Sequence, residues 1–223
     1  MVYYTGKAAN TFYNIASTKK GRKFKLLLPD GSNVWLNAES SIKYPTAFAG
    51  EERRIEVSGE AYFEVSTDPR KPFVVQSGSQ KIVVLGTHFN INNYINEDAI
   101  VTTLLEGKVK VIANGESVNI EPNQQLTWMK KSNTVTVSNI DPTIATGWVE
   151  NEFNMHDTDL ATVMRQIERW YNVEVRYEPG VNKKQTFFGS TPMNQKLSEV
   201  LKVLELSGVK SSLTDGIVMI HKH

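Results

Sequence analysis

Few residues in this chain are equipped for chemistry. Glu60 and Glu64 stand four apart in GEAYFEV (59–65), whose alternation marks a strand, so both carboxylates project from one face. A carboxylate pair is the equipment of a glycoside hydrolase, but strand geometry separates these Cα atoms by about 13 Å, wider than such pairs stand. Solvated or ion-paired surface groups are the expectation. His88, in GTHFN (86–90), has no second His or Asp at ligand spacing and reads as a turn histidine bonded to backbone. His156 precedes a helical pattern and is expected to cap or pack, and His221 and His223 frame Lys222 in what reads as a frayed tail. The absence of cysteine removes disulfides, thiol nucleophiles and thiolate metal sites, though it does not decide the compartment. No glycine-rich phosphate loop follows a strand, and no serine sits in a G-x-S-x-G elbow. No catalytic, cofactor or metal residue is assigned, and binding is expected in place of catalysis.

The bulk numbers agree with that reading. A chain of 223 residues, 40% hydrophobic and 22% charged, suits one large domain or two ordinary ones. Net charge is +1; divided at Trp148, the first part carries 16 basic and 14 acidic residues and the second 9 and 10. Neither part has the basic excess that nucleic acid requires. No apolar run approaches a membrane span, and the first twenty residues lack the layout of a signal peptide.

Positioning falls to many short strands. Residues 1–20, with Tyr3, Tyr4, Phe12 and Tyr13, form a lead-in or a partial edge strand. A hairpin follows, 24–28 and 34–36 around Pro29-Asp30-Gly31, then short strands at 42–44 and 54–57. The stretch 59–92 organises the rest: Ala61, Phe63 and Val65 alternate with Tyr62 and Glu64, and strands at 73–75 and 81–85 follow. Strands at 100–105 and 108–112 flank Glu106-Gly107, and further ones fall at 117–120, 125–128 and 134–137. The pattern is mainly β: an all-β sandwich or roll over 21–140.

After Asp141-Pro142 the period changes from two to 3.6. Leu160, Val163, Met164, Ile167 and Tyr171 form one helical stripe behind a cap at Asp157 or Thr158; Leu197, Val200, Leu201 and Leu204 form another behind Asn194. The stripes superpose at an offset of 37, an internal repeat. Each helix is followed by a strand, 173–177 and 209–213, and preceded by an apolar segment, 153–155 and 186–188. With a terminal strand at 217–221, residues 148–223 read as a small α+β domain of two β-α-β units. Open edges of such sheets suit strand addition by a partner, which makes Val173, Val175, Tyr177, Thr186, Phe188, Ile217 and Ile220 candidate contacts. Trp170 and Tyr171 are added as a candidate sticky patch, while Trp35, Trp128 and Trp148 are expected in core or hinge packing.

Six ordered motifs carry a family resemblance: LPDGSNVWLNAESSIKYP (28–45), GEAYFEV (59–65), PFVV (72–75), VLGTHFNI (84–91), LLEGKVKV (104–111) and PNQQ (122–125). They resemble the periplasmic part of FecR-type anti-sigma factors. The segments W-x-x-x-x-F-x-M (148–155) and L-x-x-V-M-x-x-I-E-R-W-Y (160–171) resemble the C-terminal domain that accompanies this family in Bacteroidetes. The resemblance implies a single-span inner-membrane protein whose cytoplasmic segment holds an extracytoplasmic-function sigma factor. Its periplasmic part would read a TonB-dependent outer-membrane transducer, whose signalling domain, the secretin and TonB short N-terminal domain, is itself a pair of β-α-β units. The sigma-binding segment and the membrane helix would then lie outside these residues, leaving a periplasmic ectodomain without a cofactor. Relatives show glycine where this chain has Asn123, which also tolerates the left-handed conformation. The alternative reading is a carbohydrate-binding β sandwich whose exposed tryptophans stack on sugars.

Overall fold

The computed structural model describes residues 11–222. Its first part holds thirteen strands: β1 (Tyr13–Ser17), β2 (Phe24–Leu27), β3 (Asn33–Leu36), β4 (Ser41–Pro45), β5 (Arg53–Glu64), β6 (Phe73–Ser77), β7 (Gln80–Val84), β8 (His88–Asn93), β9 (Ala99–Glu106), β10 (Val109–Ala113), β11 (Glu116–Ile120), β12 (Gln124–Met129) and β13 (Val135–Asn139). The latter half of the expected lead-in is thus the edge strand β1, paired with β4. Tyr3, Tyr4 and His223 lie outside the described residues.

The strands separate into two seven-membered sheets that share β5. The first runs β1-β4-β5-β6-β7-β10-β11, the second β2-β3-β5-β8-β9-β12-β13. The segments 54–57 and 61–65, expected as separate strands, are one strand that leaves the first sheet after Ser58 and enters the second at Gly59. Gly59 makes the corner possible. Its φ is +85°, and a Cβ there would meet Ser40 Oγ at 2.5 Å and the backbone of Glu39 and Ser40 within 2.9 Å. The alternation of β5 sends Ile55, Val57, Ala61 and Phe63 into one apolar core. Phe63 stacks on Phe89 of the second sheet at 4.8 Å and meets Phe73 of the first edge-on at 6.3 Å, so the three rings join the sheets.

Arg53, at the start of β5, is buried and donates to Asp30 Oδ2 (2.8 Å), Ser66 O (2.7 Å) and Lys71 O (2.9 Å). It ties the β2–β3 turn and the β5–β6 connection to the strand. In that turn Gly31 takes φ +82°, and Asn123 takes φ +64°, the conformation expected of it.

The second part begins after β13 with α1 (Thr143–Thr146) and a 3-10 turn (Gly147–Glu150), then β14 (Glu152–Asn154), β15 (Thr158–Asp159), α2 (Leu160–Tyr171), β16 (Glu174–Tyr177), β17 (Thr186–Phe187), β18 (Ser190–Pro192), α3 (Leu197–Leu206), β19 (Ser211–Thr214) and β20 (Ile217–Ile220). The offset of 37 relates α2 to α3 at their first residues, Leu160 and Leu197, and β16 to β19 at theirs, Glu174 and Ser211. Both caps fall two residues later in their repeat than Asp157 and Asn194. Asp159 accepts from Thr162 N (2.7 Å), and Glu199 reaches back to Lys196 N (3.1 Å), whereas Asp157 has φ +51° and makes the turn. The two units do not close separate sheets. Their leading strands pair with each other, β14 with β18 and β15 with β17, while β16 and β19 flank β20. Ile217 and Ile220 therefore lie on a central strand, not on the open edge expected of them.

Phe63 is fully buried among the core rings, so Phe63→Ala should cost about 3–5 kcal/mol in chemical denaturation; an unchanged midpoint would take Phe63 out of the core. Gly59→Ala should destabilise by more than about 2 kcal/mol, because strain at positive φ adds to a backbone collision. A variant melting with the parent would show that the corner relaxes.

Candidate functional site

The outward face of the second sheet is where the two parts meet, and its residue types are unusual for a covered surface. Along one transverse row the register places Trp35, Tyr62, Asn90, Thr103, Gln125 and Ser138 side by side on successive strands. On the next row Glu60, Asn92, Val101 and Thr127 are aligned, with Asn37 beside Glu60 through its N–H to Glu60 O at 3.0 Å. Side chains of one parity fill the apolar core; those of the other make this polar ladder.

Glu60 lies at its centre, 9% exposed. The expectation of a solvated surface carboxylate is corrected here. Asn37 Nδ2 donates to its Oε2 (2.8 Å) and Asn90 Nδ2 to its Oε1 (3.0 Å). Neither asparagine is free to turn, since Asn37 Oδ1 accepts from Ala38 N (2.8 Å) and Asn90 Oδ1 from Trp148 Nε1 (3.3 Å). Burial raises the Glu60 pKa; the donors Asn37 and Asn90, with the Arg169 charge, oppose that shift without overcoming it. Glu64 accepts from Asn33 Nδ2 at 3.3 Å. Each carboxylate of the sequence pair is thus engaged by its own asparagines, not aimed at a shared point.

The roof over this face comes from the second part. Trp148 and Phe153 pack with Tyr62 and Met193 in a small apolar cluster of the seam. Arg169 donates to Glu97 Oε1 (2.7 Å) and Asn96 Oδ1 (3.1 Å), with its guanidinium 4.0 Å above the Tyr94 ring. Arg165 Nε donates to Glu97 Oε2 (2.7 Å). Lys23 reaches across from the strand side to Trp148 O and Val149 O, and Gly21 N–H bonds Arg169 O (2.9 Å). Between sheet and roof a cleft of about 990 Å³ remains.

The proposed partner contacts are placed unevenly. Val175 and Tyr177 lie on β16, an outer strand of its three-stranded sheet, and Val173 just precedes it; all three turn side chains toward the helix core. Thr186 pairs with Asp159, while Phe188 follows β17, 66% exposed, with His156 edge-on at 5.2 Å. Trp170 and Tyr171 are spent within the protein: Trp170 Nε1 donates to Met193 O and Tyr171 Oη to Gln195 O, both at 2.8 Å, and both rings pack on Phe153. No tryptophan is an exposed platform, because Trp128 and Trp148 are buried and Trp35 is half-covered, with Lys25 above it at 4.2 Å. His88 lies 3.3 Å from Glu106, a carboxylate in place of the expected backbone partner. His221 is no frayed tail; its ring nitrogens meet Glu178 Oε1 and Ser212 Oγ at 2.8 Å. No group of three or more metal-ligating side chains occurs among the described residues.

Asn90, Asn92, Thr103 and Gln125 went unselected in the sequence because a polar residue at alternate strand positions reads as solvent-facing. One signal was present. Asparagine is disfavoured in strands, and two at alternate positions of β8 ask for a local reason.

Against known proteins, residues 14–110 match the family model described as FecR protein, and residues 152–220 the one described as FecR, C-terminal. Two crystal structures superpose, each of a provisionally assigned anti-sigma factor from Parabacteroides distasonis ATCC 8503. The 1.65 Å structure gives a TM-score of 0.89 at 28% identity over 94% of this chain and 99% of that one. The 2.50 Å structure gives 0.90 at 28% identity over 95% and 100%. No curated protein matches.

Since the folded chain holds the Glu60 proton more tightly than the unfolded chain does, the associated stability is present below the ordinary value of 4.5 and is lost as pH rises through the raised value. The melting temperature of the parent should therefore fall relative to Glu60→Gln as pH is raised from 4.5; parallel curves would show that burial does not perturb this carboxyl.

Proposed function

This chain belongs to the FecR-type anti-sigma factors, a regulatory and non-enzymatic kind of protein, and on that premise we propose that it is the sensing part of a transmembrane relay. In this reading it stands in the periplasm, takes up the state of a TonB-dependent outer-membrane transducer, and passes it by protein contact toward an extracytoplasmic-function sigma factor. No helix among the described residues is long and apolar enough to cross a membrane.

One observation carries the docking mode: β16 pairs on one side only, parallel to β20, and its other edge is open to a strand. Its outward side chains, Glu174 and Arg176, are exposed and bridge each other at 2.8 Å, giving the polar face that keeps such an edge from aggregating. A further guard lies on α2. Glu168 Oε1 accepts from Val175 N (2.9 Å), capping a backbone donor of β16 until a partner strand replaces it. Of the proposed contacts, Val173, Val175 and Tyr177 belong to this edge.

Calorimetric titration of the chain with the signalling domain of the transducer encoded beside it should give saturable binding. Val175→Pro deletes the edge donor and should weaken binding by about tenfold or more, while Glu168→Ala uncovers that donor and should strengthen it. If neither variant alters the affinity, strand addition at β16 is wrong; if the parent does not bind, the transducer is not the partner.

A further inference from the structure

The cleft between the second sheet and α2 has no part in that docking mode, yet it is built as a site. Its floor is the polar ladder, where Asn92 of β8, whose amide also reaches Glu60, and Gln125 of β12 line the cleft, and the buried Thr103 between them donates its hydroxyl to Gln125 Oε1 at 3.1 Å. Its roof includes Gln166 of α2, half-buried, whose side-chain amide makes no hydrogen bond among the described residues. Phe188, mostly exposed, supplies an apolar ring at the wall.

Charge decides the ligand class. The lining carboxylates are Glu60, Asp141, Glu152 and Asp157, against which stand His156 and an Arg169 already satisfied by Glu97 and Asn96. Among the described residues the lining offers neither a lysine nor an unpaired guanidinium to a phosphate or carboxylate, so anionic ligands meet like charge and unpaired desolvation. An apolar ligand would strip the amides of water without replacing their hydrogen bonds. Neutral hydroxyls both donate and accept, and thereby satisfy amide and carboxylate walls together, while a ring face covers a sugar's C–H surface. The volume, about 990 Å³, is at the upper end for small-molecule sites and has room for a disaccharide.

We propose that this cleft binds a small, uncharged, polyhydroxylated ligand of mono- or disaccharide size. Such a ligand touches Asn92 and Gln125 from the β side and Gln166 from α2, so it bridges the seam and stabilises it when bound. The site is separate from the β16 edge, and its occupancy is a second input to the same molecule.

The test is calorimetry and tryptophan fluorescence of the intact chain with maltose, cellobiose, lactose and diacetylchitobiose, with glucuronate as the anionic comparison. At least one neutral sugar should bind saturably, perturb the fluorescence of Trp148 and Trp170, and raise the melting temperature. Gln166→Ala and Phe188→Ala, neither in a core position, should each weaken binding about tenfold while leaving the ligand-free melting temperature in place. Absence of saturable binding by all four sugars up to about 20 mM, a range that admits even weak sites, would overturn the proposal. So would tighter binding of glucuronate, or sugar binding untouched by both variants.

Discussion

The structure depends on one strand belonging to two sheets. Parallel neighbours in a sheet cannot be joined by a tight turn and need a crossover of a dozen or more residues. Here β5 and β6 are consecutive and parallel, with Arg53 opposite Phe73. The crossover is built from the strand itself: past Gly59 the second half of β5 runs through the other sheet, pairing with β3 and β8, before residues 65–72 bring the chain back. Arg53 closes the excursion by holding Asp30, Ser66 and Lys71 together at its start. A buried guanidinium is costly to desolvate, and this one is nearly surrounded by acceptors, though its Nη2 has none. Removing either partner would leave a buried charge unpaired, which ties the turn at Asp30 to the sandwich corner.

The same strand makes the seam. Because side chains alternate, a residue order that sends Ala61 and Phe63 into the core sends Glu60 and Tyr62 to the opposite face. That face is covered by Trp148, Phe153 and α2, but with amides, one carboxylate and a few aromatic rings, not with the dense aliphatic packing of either core. Apolar cores are held by area and resist separation; a polar seam is held by a handful of directional contacts. Glu97, accepting from both Arg165 and Arg169, is the largest of these, with all three side chains mostly covered.

Much of this was legible in the residues. The mainly β character, the hairpin at Pro29-Asp30-Gly31, the left-handed Asn123 and the helical repeat at an offset of 37 all follow from local rules: period, turn chemistry and stripe. The continuity of β5 was hidden because Gly59, which marks a corner here, reads equally well as a break between strands. The central position of β20 was hidden for another reason. A repeat announces that two units are alike, not which strand fills the slot between them, and Ile217–Ile220 has no counterpart in the first unit. The cleft was least visible, since its lining is drawn from β5, β8, β9, β12 and β13 on one side and from α1, α2 and the segments around them on the other, brought together only in the folded chain. Tyr171 and Trp170 misled for a related reason: an aromatic pair at a helix end reads as a sticky surface until Met193 and Gln195, more than twenty residues on, supply acceptors for it.

Helix α2 is where the separate features become one mechanism. Its buried stripe, Leu160, Val163, Met164 and Ile167, anchors it in the C-terminal core. Arg165 and Arg169 grip the β8–β9 loop through Glu97, Gln166 faces the cleft, and Glu168 caps the edge of β16. These residues are neighbours at helical spacing on a rigid rod, so one cannot shift without displacing the others. A coupling of about 1–3 kcal/mol suffices for regulation, which is less than breaking a well-covered ion pair costs. On the proposed docking mode, a strand that displaces Glu168 from β16 would act on the element that holds the seam together, and contact at one end of the molecule would reach the β body without a change in either core.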